Sequence, residues 1–122
     1  MSSKQVLFIH NHITFAEIVQ AGLGDIDDWH ISTVSSLKSM LIQISQNTPD
    51  LIILDFEHPE MNAVEILTMI RNYLFCFSPV VIFVTHLLTE QEENILTKFG
   101  VLNIIYKQLN SPIKTIECVP AY

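Results

Sequence analysis

Residues 49–63 read PDLIILDFEHPEMNA. Pro49 and Asp50 precede four consecutive aliphatic side chains, Leu51 to Leu54. Asp55 follows, then a polar loop with Glu57, His58 and Pro59. An apolar run without polar alternation is the pattern of a strand buried on both faces. A strand ending on a carboxylate delivers that carboxylate to the rim of a sheet. Asn62 with Glu65 three residues later has the spacing of a helix cap. The stretch therefore predicts strand, loop and helix, with Asp55 at the turning point.

The same alternation runs outward in both directions. Gln5–His10 reads as a buried strand, and Trp29–Val34 as a weaker one nearer an edge. Pro79–Val84 and Leu102–Tyr106 supply two more. Between them lie amphipathic stretches. Thr14–Leu23 opens with a T-x-x-E capping box, Thr14 with Glu17, and puts Phe15, Ile18 and Val19 on one face. Ser35 or Ser36 caps a helix with Leu37, Met40, Leu41 and Ile44 in one stripe. The helix after Asn62 carries Ile66, Leu67, Ile70 and Leu74. Thr89 with Glu92 is a second box, ahead of Ile95, Leu96 and Phe99, and Gly100 is the expected stop. Ser111-Pro112 begins a last helix. Five strand–helix units of this kind imply right-handed crossovers and a doubly wound parallel α/β sheet with helices on both faces. Ligands bind such sheets beyond the carboxyl ends of the strands, here after His10, Asp55, Val84 and Tyr106.

Composition narrows the function. With 122 residues the chain has the size of a single domain, residues 1–122, burying roughly 65% of its unfolded surface. Its 49% apolar and 16% charged residues exclude a disordered chain. The longest apolar runs are about five residues, against the ~20 a membrane-spanning helix requires. Six Lys+Arg against thirteen Asp+Glu, a formal charge of −7, provide no basic footprint for nucleic acid and would be repelled by an acidic membrane surface. Cys76 and Cys118 form no CxxC pair, consistent with reduced thiols in a cytoplasmic protein.

Asp55, Thr85 and Lys107 follow or end three neighbouring strands, so a carboxylate, a hydroxyl and an ammonium converge. That trio suits phosphoryl transfer: the carboxylate as nucleophile, the other two orienting and neutralising phosphoryl oxygens. Each residue also has a plainer reading, as a turn Asp, a capping Thr and a solvated Lys.

These residues resemble the receiver domain of two-component response regulators, from about Gln5 to Lys114. The Pro49–Ala63 stretch is similar to the family's third strand, its phosphoacceptor aspartate and the loop with Pro four residues later. The resemblance implies a flavodoxin-like fold with strand order 2-1-3-4-5. It implies Asp55 as phosphoacceptor, Thr85 and Lys107 as phosphate contacts, and signalling by protein–protein contact with a histidine kinase or another signalling protein, not enzyme activity. The sequence also departs from the family. The acidic pair that holds Mg²⁺ is His10 and Asn11. The residue after the Thr is His86, the switch aromatic is Ile104, the Pro after the Lys is Gln108, and Ala63 stands where Gly is common.

Mg²⁺ requires hard anionic oxygen. At an effective dielectric of 20, a unit-charge pair at 4 Å is worth about 4 kcal/mol before desolvation. Losing two carboxylates is therefore expected to remove several kcal/mol of metal attraction. What remains is Asp55, the Asn11 side-chain oxygen and the Glu57 carbonyl. Bound Mg²⁺ is expected to be weak or absent, other cofactors absent, and Asp55 little phosphorylated. His10 is expected to fill the acid pocket and hydrogen-bond Asp55. An alternative uses His10, His12, His58 and His86, all near the strand ends, as a transition-metal site, or reads the chain as an enzyme on a flavodoxin-like fold. The spacing matches no zinc signature and no glycine-rich phosphate loop follows the first strand, so His58 and His86 are assigned to the pocket rim. The last helix, Pro112–Val119, spans eight residues, about 12 Å. So short a helix predicts uncovered apolar surface around Ile113, Ile116 and Val119, and a homodimer or partner contact through the side made by the fourth helix, fifth strand and fifth helix.

Overall fold

The computed structural model describes residues 3–58, 60, 62–107 and 119. Five strands form one parallel sheet: β1 Lys4–Ile9, β2 Trp29–Val34, β3 Leu51–Asp55, β4 Val80–Val84 and β5 Val101–Tyr106. Their order is β2-β1-β3-β4-β5. This is the flavodoxin-like, doubly wound arrangement expected, with β2 on an edge. Every residue of β3 and β4 is buried, because helices cover both faces of the sheet centre.

Alternate strand residues divide the core in two. On one face, Leu7, Ile9, Ile52, Leu54, Ile82 and Val84 meet α2 (Leu37–Gln46), α3 (Ala63–Thr68) and α4 (Glu90–Lys98) through Met40, Ile44, Ile66, Leu67 and Leu96. On the other, Val6, Phe8, Leu51, Ile53, Val81 and Phe83 meet α1 (Ile13–Gly24) through Ala16, Val19 and Leu23. Val119, expected in an under-covered stretch, is instead fully buried on this second face, packed in the cluster of Val6, Phe8, Val81, Phe83 and Ile105. The rest of the expected last helix lies outside the described residues, as do Pro59, Gln108 and Cys118. Cys76 is a buried free thiol. Among the described residues no helix is long and apolar enough to cross a membrane.

Local chemistry sets the helix starts. Ser36 Oγ accepts from Ser39 N–H at 3.1 Å, Asn62 Oδ1 accepts from Glu65 N–H at 2.9 Å, and Thr89 with Glu92 forms the complete capping box. The box hydrogen bond from the Thr89 backbone holds the Glu92 carboxyl below its ordinary pKa. The Thr14–Glu17 box does not form. His12 caps α1 instead, its Nδ1 accepting from Phe15 N–H at 3.3 Å. The helix therefore starts at Ile13 and holds Thr14 in its first turn, where Thr14 has helical backbone and cannot act as a cap. Ile18 is 39% exposed, so the buried stripe of α1 is Ala16, Val19 and Leu23. Two irregularities carry no clear sequence signal. A π-helical turn, Met69–Tyr73, extends α3. A register shift places Leu102 as an extra residue between the pairs Val80–Val101 and Val81–Asn103.

Candidate functional site

The sheet fixes the site by continuing its ladder one residue past the strand ends. His10 N–H donates to Val34 O at 2.9 Å, Phe56 N–H to Phe83 O at 2.9 Å, and Lys107 N–H to Val84 O at 2.7 Å. The residues flanking Asp55 are thus held by backbone, and Asp55, the last residue of β3, is fully buried.

Both Asp55 carboxylate oxygens are engaged. Lys107 Nζ stands 2.8 Å from Oδ1, and Asn11 N–H donates to Oδ2 at 2.9 Å. The Lys107 side chain is itself buried, with Nζ 4.9 Å from the Phe15 ring centroid. A buried ion pair is favourable only when its geometry and remaining hydrogen bonds offset desolvation. Here the Asn11 amide and the aromatic face supply that support.

Thr85 does not join this pair. Its hydroxyl donates to Glu57 Oε1 at 3.1 Å and its N–H to the same oxygen at 3.3 Å. His86 Nδ1 lies 2.8 Å from that oxygen, and the His86 ring packs edge-on to Phe56. Glu57 Oε2 is shielded from solvent without a hydrogen-bond partner. Of the two groups expected to meet an anion beside Asp55, Thr85 is occupied by the Glu57 carboxylate and Lys107 by Asp55 itself. The reason is reach: Glu57 lies two residues past Asp55 on the loop that faces the β4–α4 connection. Sequence reasoning used only its main-chain carbonyl. The available signal was a carboxylate opposite a Thr-His dipeptide.

His10 is 3% exposed and its Nδ1 has no hydrogen-bond partner; it does not hydrogen-bond Asp55 as expected. Burial lowers its pKa, the Asp55 charge pulls the other way, and His58, His12 and Lys107 add to the lowering. The ring packs against Phe8 instead, with centroids 5.7 Å apart. Asn11 is exposed, and its side-chain NH₂ donates to the Glu57 carbonyl. The amide oxygen expected to face this site is therefore turned away, because two oxygens would repel.

His58 is buried and does not line an open rim. Its Nε2 is 3.2 Å from Ser35 O, and its Nδ1 accepts from Glu60 N–H at 3.2 Å. It ties the loop after β3 to the loop after β2, while His86 stands half exposed near the site. Ile104 is half-buried, pairs with Ile82, and packs with Tyr106 against the face that holds α2 to α4. Among the described residues no group of three or more His, Cys, Asp or Glu side chains is placed to hold a metal ion. His12, His58 and His86 are each engaged by a neighbour, which leaves the transition-metal alternative without support.

Solved structures show the same fold. The Mn²⁺-bound response regulator Rcp1 superposes with TM-score 0.81 at 20% identity, covering 98% of this chain and 93% of its own. CheY4 of Vibrio cholerae, a chemotaxis protein, gives 0.83 at 20% identity, with 98% of both chains covered. The phosphorylated cyanobacterial phytochrome response regulator RcpA gives 0.81 at 21%, covering 98% and 91%. Among curated proteins no sequence matches this chain. The profile of the response regulator receiver domain matches residues 6–115, and this protein belongs to that family.

Proposed function

We propose that this receiver domain signals by protein–protein contact with an Asp55 pocket set by its own side chains, not by Mg²⁺ and phosphorylation. Receiver domains are signalling modules that work with histidine kinases and other signalling proteins, and they hold Mg²⁺ beside the acceptor aspartate. One observation carries the departure. Beside the Asp55–Lys107 pair that the receiver reading expects, Asn11 and Thr85 spend their side-chain donors on Glu57.

The donor set fits Mg²⁺ poorly. The ion requires several anionic or carbonyl oxygens. At this end of the sheet the Glu57 carbonyl is covered by the Asn11 NH₂, and His10 brings a neutral ring where an acid would stand. Asp55 is the acceptor position, and Thr85 and Lys107 are the phosphate-contact positions, of a switch whose anion site Glu57 fills. Ile104 has no ring to reorient. The partner is a histidine kinase or another signalling protein, not nucleic acid. The free Cys76 thiol supports a reducing, cytoplasmic setting. A homodimer through α4, β5 and the C-terminal segment is the corresponding assembly.

Acetyl phosphate with and without Mg²⁺, followed by intact mass, tests this reading. No phosphoryl adduct is expected in either condition. A stoichiometric, Mg²⁺-dependent adduct lost in Asp55→Asn would overturn it.

A further inference from the structure

At the opposite end of the sheet, where β4 and β5 begin, a cavity of about 550 Å³ opens between Arg71, Asn72, Phe77, Pro79, Lys98, Phe99, Gly100 and Leu102. A five-residue strand separates it from the Asp55 end by about 16 Å. Its lining carries two cations and no carboxylate, in a chain with six Lys+Arg in total.

Arg71 is held rigidly there. Its Nε donates to Phe99 O at 3.0 Å, and its Nη1 to Cys76 O at 2.9 Å and Ser78 O at 2.8 Å. Nη2 takes no part in these bonds and lies toward Gly100, 3.7 Å from where a Cβ would stand. Neither Arg71 nor Lys98 has an acidic partner among the described residues. Burial lowers the Arg71 pKa, and an uncompensated, half-buried guanidinium gains most from an incoming anion.

The chain beside the cavity is apolar: Tyr73 and Phe75 lie in sequence between its lining residues Asn72 and Phe77. Tyr73, Phe75 and Phe77, within five residues, are each more than 70% exposed, and Leu102 is 54% exposed. Phe75 has φ 51°, the left-handed region, and follows the π-helical turn. A bulky residue held there is strained, and π turns and strained residues gather at functional surfaces. Exposed aromatics around a fixed Arg are the composition of a contact surface.

We infer that this end of the domain is a docking site for a partner protein's acidic segment, one that sets a carboxylate on Arg71 and Lys98 and an apolar side chain against Phe77, Phe99 and Leu102. Charge complementarity selects this occupant. A second copy would bring a net charge of −7 against −7, a whole-chain repulsion that a short acidic segment of another protein avoids, and the exposed Tyr73 and Phe75 offer apolar contacts that a segment longer than a small acid can use.

The test is amide-resolved NMR of the full chain with 3-phenylpropanoate, 3-phenylpropanamide and the capped peptide Glu-Phe-Glu-Leu-Glu. The acid should give saturating shifts at Phe77, Phe99 and Gly100 and none at Asn11 or Thr85. The neutral amide should bind at least about five-fold more weakly, and Lys98→Glu should weaken the acid about five-fold, as expected for partly exposed ion pairs. The peptide should bind more tightly than the acid, and Phe75→Ala should reduce only peptide affinity. Absent shifts, equal binding of acid and amide, or shifts confined to the Asp55 end would overturn the site. A peptide no tighter than the acid would overturn the docking role.

Discussion

At the residue scale, the Asp55–Lys107 pair and the His10 ring make opposite demands on the same buried space. Removing one member of a buried ion pair leaves the other uncompensated, which costs about 3–5 kcal/mol. Lys107→Met should therefore lower unfolding free energy by about that much in urea titration, and Asp55→Asn added to it should restore a large part. If the two changes are simply additive, Lys107 is not holding Asp55. His10 acts through pH. Its folded pKa lies below its unfolded value of 6.5, chiefly through burial, so below that value the unfolded chain binds more protons than the folded one. The stability contributed by the neutral ring is complete above pH 6.5 and is lost as pH falls through the folded pKa. The stability gap between the wild type and His10→Gln should narrow between about pH 7.5 and about pH 5.5, and parallel urea curves at both values would refute this. The positions of Asp55 and Lys107 were legible in the sequence because they follow from strand ends alone. The Glu57–Thr85–His86 contact was not, because a loop side chain's direction depends on which neighbouring loop it faces.

At the scale of elements, caps decide where helices begin, and two similar signals ended differently. Thr89 with Glu92 forms its box because the backbone enters α4 at Thr89 in an extended conformation, φ −71° and ψ 159°. Thr14 with Glu17 has the same letters, but the extended residue is His12, φ −143° and ψ 110°. Thr89→Ala should cost about 1 kcal/mol in unfolding free energy and Thr14→Ala only a few tenths. Equal losses by thermal or urea denaturation would contradict the assignment of the caps. The strands were legible because an apolar run bounded by turn residues has few alternatives once helices alternate with it. The π-helical turn was not, since Met69–Tyr73 keeps a helical hydrophobic pattern and differs only by one residue in its hydrogen-bond span.

At the scale of the molecule, the pocket's chemistry becomes measurable through stability, because an ion that binds only the folded state raises the unfolding free energy by RT ln(1 + [L]/Kd). The wild type offers Mg²⁺ one carboxylate already paired with Lys107 and a Glu57 carbonyl already covered by Asn11. Its melting temperature should not move across millimolar Mg²⁺. Changing His10→Asp and Asn11→Asp together places two more carboxylates beside Asp55 and removes the NH₂ that covers the Glu57 carbonyl. Without metal the three acids face one ammonium, so the double variant should melt below the wild type near neutral pH, by repulsion and by loss of the packed His10 ring. With Mg²⁺ at ten times its Kd the gain is about 1.4 kcal/mol, which for a domain of this size is roughly 5.5 °C in Tm. The measurement is Tm against Mg²⁺ concentration, with Ca²⁺ and added NaCl as controls for general charge screening. A rise in the double variant alone assigns the missing metal affinity to positions 10 and 11. An equal rise in the wild type would mean that Asn11 and Lys107 yield to the ion, and that the pocket remains an ordinary Mg²⁺-dependent switch.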